Sequence, residues 1–178
     1  VGTGMWTVVT GSGTFGNTSV ANTAVSGLSY GTNTFRWTVT NGTCPPSTSD
    51  VTITLFEPPT TANAGTSQNL CGTIATTNAT LAANAAAVGT GEWTVVSGSG
   101  TFSNINDPTA TVSGLSYGAN VFRWTISNGN CMATTSEVTI TLNEPPTVAS
   151  AGQAQSLRGL NTTPTATLAG NTQVVGTG

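Results

Sequence analysis

The chain has no histidine and no lysine, and its charge is confined to three arginines and six carboxylates, 5% of the residues, for a formal charge of -3. Each shortage excludes a class of function. With so few cations there is no basic surface to neutralise phosphates, which speaks against nucleic acid as a partner. A serine or cysteine nucleophile normally needs a neighbouring base, and neither His nor Lys exists to supply it. The lack of lysine also rules out Lys–Asn isopeptide cross-links. Long apolar runs are missing too; none approaches the roughly 20 residues needed to span a bilayer as a helix. No stretch keeps a helical 3.6-residue period, whereas short β-branched and aromatic runs alternate with polar residues between Gly, Asn, Asp and Pro clusters. Solubility rests on Thr, Ser, Asn and Gly, a character common among secreted β-proteins.

What is present is a repeat. Residues 6–15 (WTVVTGSGTF) fall on residues 93–102 (WTVVSGSGTF), a displacement of 87. The same displacement carries GLSYG from Gly27 to Gly114, FRWT from Phe35 to Phe122, NG-x-C from Asn41 to Asn128 and VTITL from Val51 to Val138. VGTG stands at 1, 88 and 175, so the chain holds two periods and four residues and reads as a window on a longer tandem array. A Pro-Pro pair lacks two backbone donors and cannot sit inside a central strand, so Pro58-Pro59 and Pro145-Pro146 mark the best boundaries. The expected organisation is 1–57 as the C-terminal part of one repeat, 58–144 as a complete repeat and 145–178 as the N-terminal part of the next.

Within 58–144 seven strands are predicted, at about 67–71, 78–82, 91–97, 100–103, 109–113, 119–128 and 134–142. That number and spacing fit an all-β, immunoglobulin-like sandwich. Alternation puts Phe122, Trp124 and Ile126 on one side and Val121, Arg123 and Thr125 on the other. The expected core adds Val138, Ile140 and Leu142, Trp93 with Val95, and Leu70, Leu81, Phe102, Val112 and Leu115. Arg36 and Arg123 occupy outward positions, with Asp50 and Glu137 on the following strand, so two cross-strand ion pairs are expected.

Of the three cysteines, Cys44 and Cys131 are one repeat position, and the next copy of Cys71 is Arg158. Pairing Cys44 with Cys71 across the boundary would leave Cys131 facing arginine. Pairing within a repeat joins Cys71 to Cys131 and sends Cys44 to a partner outside these residues. The second is favoured, with free buried thiols as the alternative. Such a bridge closes a loop worth about 4 kcal/mol in the chain-entropy model and implies an oxidising compartment.

Several apparent motifs dissolve on inspection. GSGTFG at 11–16 matches a dinucleotide fingerprint, but no helix pattern follows, and Ser103 replaces the third glycine in the next copy. A tight strand connection explains it better. NINDP at 104–108 has one carboxylate, too few for a calcium site. No cofactor or metal is expected.

The order PPTTANAGTSQNLCG, GEWTVVSGSGTF, GLSYGANVFRWTISNG-x-C and SEVTITL resembles the PKD-like and Ig-like tandem repeats of giant bacterial surface adhesins, the type exported by type IX secretion and in some cases serving gliding motility. Arg158 departs from the pattern. The resemblance implies a non-catalytic extracellular, cell-surface stalk or filament whose partners are adjacent repeats or neighbouring chains in a fibre. Two other readings remain open: a module that grips a surface glycan or protein through variable loops, and an accessory domain of a secreted enzyme.

Overall fold

The structure, a computed structural model, describes residues 2–158 and 164–175. Alternating β-branched and aromatic residues fold as strands throughout, and no helix occurs among the described residues. In chain order these are β1 (Thr3–Thr10), β2 (Thr14–Phe15), β3 (Val25–Ser26), β4 (Gly31–Thr40), β5 (Ser47–Leu55), β6 (Gln68–Cys71), β7 (Ala79–Thr80), β8 (Thr90–Ser97), β9 (Thr101–Phe102), β10 (Thr111–Ser113), β11 (Gly118–Ser127) and β12 (Thr134–Asn143). The chain divides into two compact units. One runs through Thr61 and adds Ala86–Gly91 and Ile126–Thr134; the other takes Ala62–Ala85, Glu92–Thr125 and the chain from Thr135 on. Both proline pairs lie outside strands, Pro58-Pro59 within the first unit and Pro145-Pro146 within the second.

In the first repeat, β1, β4 and β5 form a three-stranded antiparallel sheet, and β2 and β3 pair as a small second sheet. In the second repeat the corresponding strands are joined by two more: a four-stranded sheet in the order β6-β12-β11-β8 and a three-stranded sheet in the order β7-β10-β9. β6 runs parallel to β12, with Ile140 opposite Gln68 and Leu142 opposite Leu70. This is the seven-stranded, all-β immunoglobulin-like sandwich that the strand count predicts.

Ten of the thirteen expected core residues, Leu81, Trp93, Val112, Leu115, Phe122, Trp124, Ile126, Val138, Ile140 and Leu142, are no more than 3% exposed. Phe102 and Leu70 are half-buried. Val95 is a miss: it shares parity with Trp93 yet is exposed. β8 is the edge strand of its sheet, and residues 94–97 are all exposed, so alternation no longer decides burial there. Trp93 packs on Trp124 at 5.0 Å between ring centroids, and Phe102 meets Phe122 edge-on at 5.4 Å. Such tilted and T-shaped pairs suit the ring quadrupoles.

Parity did not foresee a buried polar side chain. Asn120, on β11, is fully buried and satisfies every polar atom. Its Nδ2 donates to the carbonyls of Ser116 (2.9 Å), Gly118 (3.2 Å) and Ile140 (3.2 Å). Its Oδ1 accepts from Ser99 N, Ser116 N and Ser116 Oγ at 3.0, 3.1 and 2.8 Å. One side chain thus ties the β8–β9 turn and the loop before β11 to β12. Asn33 makes the same set of bonds in the first repeat. The GSG turn that imitates a nucleotide fingerprint is part of this lock: a Cβ on Gly13 would lie 2.7 Å from the Phe35 ring, so the turn needs a residue without one.

Candidate functional site: a clasped linker

The Pro-Pro segment is held rather than loose. Pro58 and Pro59 offer no backbone donors, so the segment is fixed through its carbonyls and through Thr60. The connection from β11 to β12 begins Asn128-Gly129-Asn130-Cys131 and is closed by a bond from Cys131 N to Asn128 O at 3.1 Å. From that turn Asn128 Nδ2 donates to Glu57 O at 2.8 Å, and the Cys131 thiol points at the same oxygen at 3.5 Å. Gly129, at φ +54°, lets the turn lie on the Phe56 ring; a Cβ there would sit 2.6 Å from it. Thr134 Oγ1 donates to Thr60 O at 2.7 Å. Thr60 completes the clasp: its N–H donates to Val88 O at 3.1 Å, and its Oγ1 accepts from the N–H groups of Ala87 and Val88 at 3.0 and 2.9 Å. Pro59 is buried. All of these residues belong to the first compact unit.

Read for boundaries, the sequence marks Pro58 and Pro59 but does not single out Thr60, Asn128 and Gly129 as the residues that hold them. The signal was recurrence. Thr follows both proline pairs, at Thr60 and Thr147, and Asn-Gly recurs at Asn41-Gly42 and Asn128-Gly129.

The residues expected to form ion pairs are brought together on the outer face. In register, Arg36 lies opposite Asp50. Arg36 Nε donates to Oδ1 at 2.7 Å and a terminal nitrogen to Oδ2 at 2.9 Å, a two-oxygen fork. Arg123 instead directs both nitrogens to Glu137 Oε1, at 2.9 and 2.6 Å. The hydrogen bond to Arg36, and then its charge, hold Asp50 below the usual carboxylate range, and the same contacts raise Arg36. Both pairs are well exposed, which limits their worth.

The cysteines require a correction. All three are free thiols, so the expected Cys71–Cys131 bridge is not formed. The reason is strand direction. Parallel pairing sets Cys71 beside Asn143, the last residue of β12, whereas Cys131 precedes the first residue of that strand by three. At about 3.3 Å per residue the strand alone separates them by about 30 Å, far beyond the roughly 7 Å that a disulfide can bridge. Cys44 occupies the matching turn of the first repeat, with its N–H on Asn41 O at 3.2 Å.

Asp107, the one carboxylate of NINDP, is engaged locally. Its Oδ1 accepts from Thr109 N and Oγ1, both at 2.8 Å, and these bonds, backbone first, lower its pKa. Its carbonyl takes the Trp93 indole N–H at 3.0 Å. Among the described residues no three His, Cys, Asp or Glu gather as a metal site, and no helix is long and apolar enough to cross a membrane.

Among solved structures the chain is similar to the PKD domain from the KIAA 1837 protein, at 23% identity, covering 53% of this chain and 92% of that one, with a TM-score of 0.40. It is also similar to domains 4 and 5 of the S-layer protein SbsC, at 16% identity, covering 78% of this chain and 70% of that one, with a TM-score of 0.34. No protein-family model and no curated protein matches the chain.

Proposed function

We propose that the chain is a non-catalytic structural repeat of an extracellular stalk or surface filament, whose work is semi-rigid reach from the cell. The observation that carries this reading is the clasp on the linker. Proline already limits φ, and a short linker limits bending. Here the carbonyls of Glu57 and Thr60 are also held by side chains of the β11–β12 turn and of β12. Conserving that geometry along an array would let stiffness accumulate from unit to unit. The finer reading, a repeat of a type IX-exported surface adhesin, is supported by the ordered motifs of the sequence. No His or Lys is present to activate a serine or cysteine nucleophile, consistent with a mechanical role.

Backbone 15N relaxation of the whole chain tests the reading. A clasped linker makes the amides of Glu57, Thr60 and Thr61 as ordered as those of β4 and β5, and the double variant Asn128→Ala, Thr134→Val frees them. Linker amides already more mobile than those strands in the unaltered chain would overturn the proposal.

A further inference from the structure

A single peptide bond in the second repeat is surrounded by the parts of an acyl-transfer site. Asp107-Pro108 is the one Asp-Pro pair of the chain and lies in the connection from β9 to β10. Proline makes a tertiary amide, whose nitrogen leaves as a secondary amine more basic than an ordinary peptide nitrogen. The Asp107 carboxyl can reach its own residue's carbonyl carbon by closing a five-membered ring. Holding nucleophile and electrophile in one residue replaces a collision by a rotation, and well-aligned arrangements of this kind reach effective molarities of about 10⁵–10⁸ M.

The fold adds what the dipeptide lacks. Asp107 O accepts two N–H groups, from the Trp93 indole at 3.0 Å and from Ala110 N at 3.0 Å. Both distances fall in the range at which oxyanion donors work, about 2.7–3.1 Å. Trp93 and Ala110 are each 1% exposed, so the core fixes both donors in place. The carboxyl is set as firmly. Its Oδ1 accepts from Thr109 N and Oγ1, and Oδ2 carries no bond among the described residues, which leaves it as the attacking atom. On the leaving side Pro108 O accepts from Ala83 N at 3.0 Å, holding the proline in position. The first repeat shows the donor by itself. Trp6 Nε1 donates to Ala21 O at 3.2 Å, but that carbonyl has no carboxyl beside it and Asn22 follows it.

We propose that the second repeat cleaves its own chain at the Asp107–Pro108 peptide bond. Oδ2 of the protonated carboxyl attacks the Asp107 carbonyl carbon, and the oxyanion that forms is held by Trp93 Nε1 and Ala110 N. The intermediate then collapses: the bond to Pro108 N breaks, and the carboxyl proton passes to that nitrogen. A cyclic anhydride is left on Asp107, and water opens it to two carboxyls. One peptide bond and one water thus become a C-terminal Asp107 and an N-terminal Pro108 amine. No histidine or lysine is needed, because the nucleophile brings the proton that the leaving amine takes. The surrounding elements, β8, β10 and residues 79–85, carry one charged side chain, Glu92. The bonds from Thr109, backbone first, keep the Asp107 carboxyl ionised below the usual aspartate range, so cleavage is slow at neutral pH and quickens in acid. The nicked repeat stays assembled, because β10 and β12 of the C-terminal piece pair with β7, β9 and β6 of the N-terminal piece. Continuity of the chain is then lost while the sandwich persists, whether or not the protein serves as a stalk.

Intact-mass spectrometry of the full chain, incubated across acid to neutral pH wherever circular dichroism shows it folded, tests the proposal. Two pieces are expected, residues 1–107 and 108–178, with masses that sum to the parent plus one water. The same chain unfolded in urea at equal pH reports the bond without its donors, and the folded chain should cleave at least about tenfold faster. Asp107→Asn keeps an acceptor for Thr109 but has no acidic carboxyl, and should abolish the acid cut; Pro108→Ala should slow it. Trp93→Phe keeps a ring but loses one oxyanion donor, at a cost of about a hundredfold in rate. Thr109→Val removes the hydroxyl bond to Oδ1 and should move the onset of cleavage to higher pH. Asp107 and Pro108 are half-buried in a loop, so their variants keep the test decisive if Trp93→Phe misfolds. A folded chain that cleaves no faster than the unfolded one would overturn the proposal. So would a cut at this bond that persists in Asp107→Asn.

Discussion

Trp37 and Trp124 occupy one position of the repeat, on equivalent strands with identical neighbours Phe-Arg-Trp-Thr, yet the first is half-buried and the second is 1% exposed. The aromatic cluster around them hardly differs: Trp6 to Trp37 is 5.1 Å against 5.0 Å for Trp93 to Trp124, and Phe15 to Phe35 is 5.5 Å against 5.4 Å for Phe102 to Phe122. The Asn33 and Asn120 locks are the same as well. Local geometry is therefore set by the strands from β1 to β5, or β8 to β12, alone. Residues 62–85 add burial, and burial is where the hydrophobic contribution resides. The comparison separates what shapes this fold from what stabilises it.

The largest expected effect breaks the comparison at its centre. Trp124→Ala should cost about 3–5 kcal/mol, the usual range for emptying a buried aromatic site. Trp37→Ala should cost less, because part of its surface is already in water. Urea denaturation followed through amide signals of β11 and β4, at concentrations where the chain is monomeric, measures both. Equal losses would mean that the face on the first repeat is covered in solution. Next come the locks. Asn120→Ala strands the Ser99 and Ser116 N–H groups, at about 1–3 kcal/mol for each buried donor left unpaired. Asn33→Ala should cost less, since its third acceptor, Ile53 O, is 3.4 Å away and belongs to an exposed residue.

A smaller effect sharpens the comparison at the turns. Gly129 and Gly42 have nearly the same backbone, φ +54° and +57°, and Ala at either site carries a left-handed penalty of about 1–2 kcal/mol. At Gly42 nothing lies within 4 Å of a new Cβ, whereas at Gly129 the Phe56 ring does. Gly129→Ala should therefore destabilise more than Gly42→Ala. Adding Phe56→Ala should remove most of the excess, which a double-mutant cycle on thermal unfolding would show.

How far the residues announce all this depends on range. The inward set Phe122, Trp124 and Ile126 is legible because a strand has period two and its consequences are local. The seven strands follow from the same pattern and its turn residues. Asn120 was not legible: asparagine is depleted in strands, and its bonds to Ser99 and Ile140, 21 and 20 residues away, are assembled only by the fold. The clasp was hidden for the same reason, since Asn128 and Thr134 reach carbonyls 71 and 74 residues away. Repeat arithmetic placed Cys71 and Cys131 in one repeat. It could not supply the direction of β6, and the parallel pairing of that strand is what keeps the thiols apart. Arg36 with Asp50 and Arg123 with Glu137 were readable because facing positions on adjacent strands need only register.

The smallest expected effect concerns those pairs and depends on pH. Arg36 holds the Asp50 carboxylate in its charged form, so the folded-state pKa lies below the ordinary value. A group depressed in this way favours the folded state wherever the unfolded chain's Asp is ionised, above about pH 4. That contribution is lost as pH falls through the lower, folded-state value. Acid should therefore loosen the β4–β5 hairpin of the first repeat in part through Asp50. Asp50→Asn should flatten the acid limb of its stability while leaving neutral pH nearly unchanged, because an exposed pair contributes little there. Thermal unfolding of that hairpin, read from its own amide signals between pH 2 and 7, measures the effect, and an acid limb left unmoved by Asp50→Asn would show that this carboxylate does not set it.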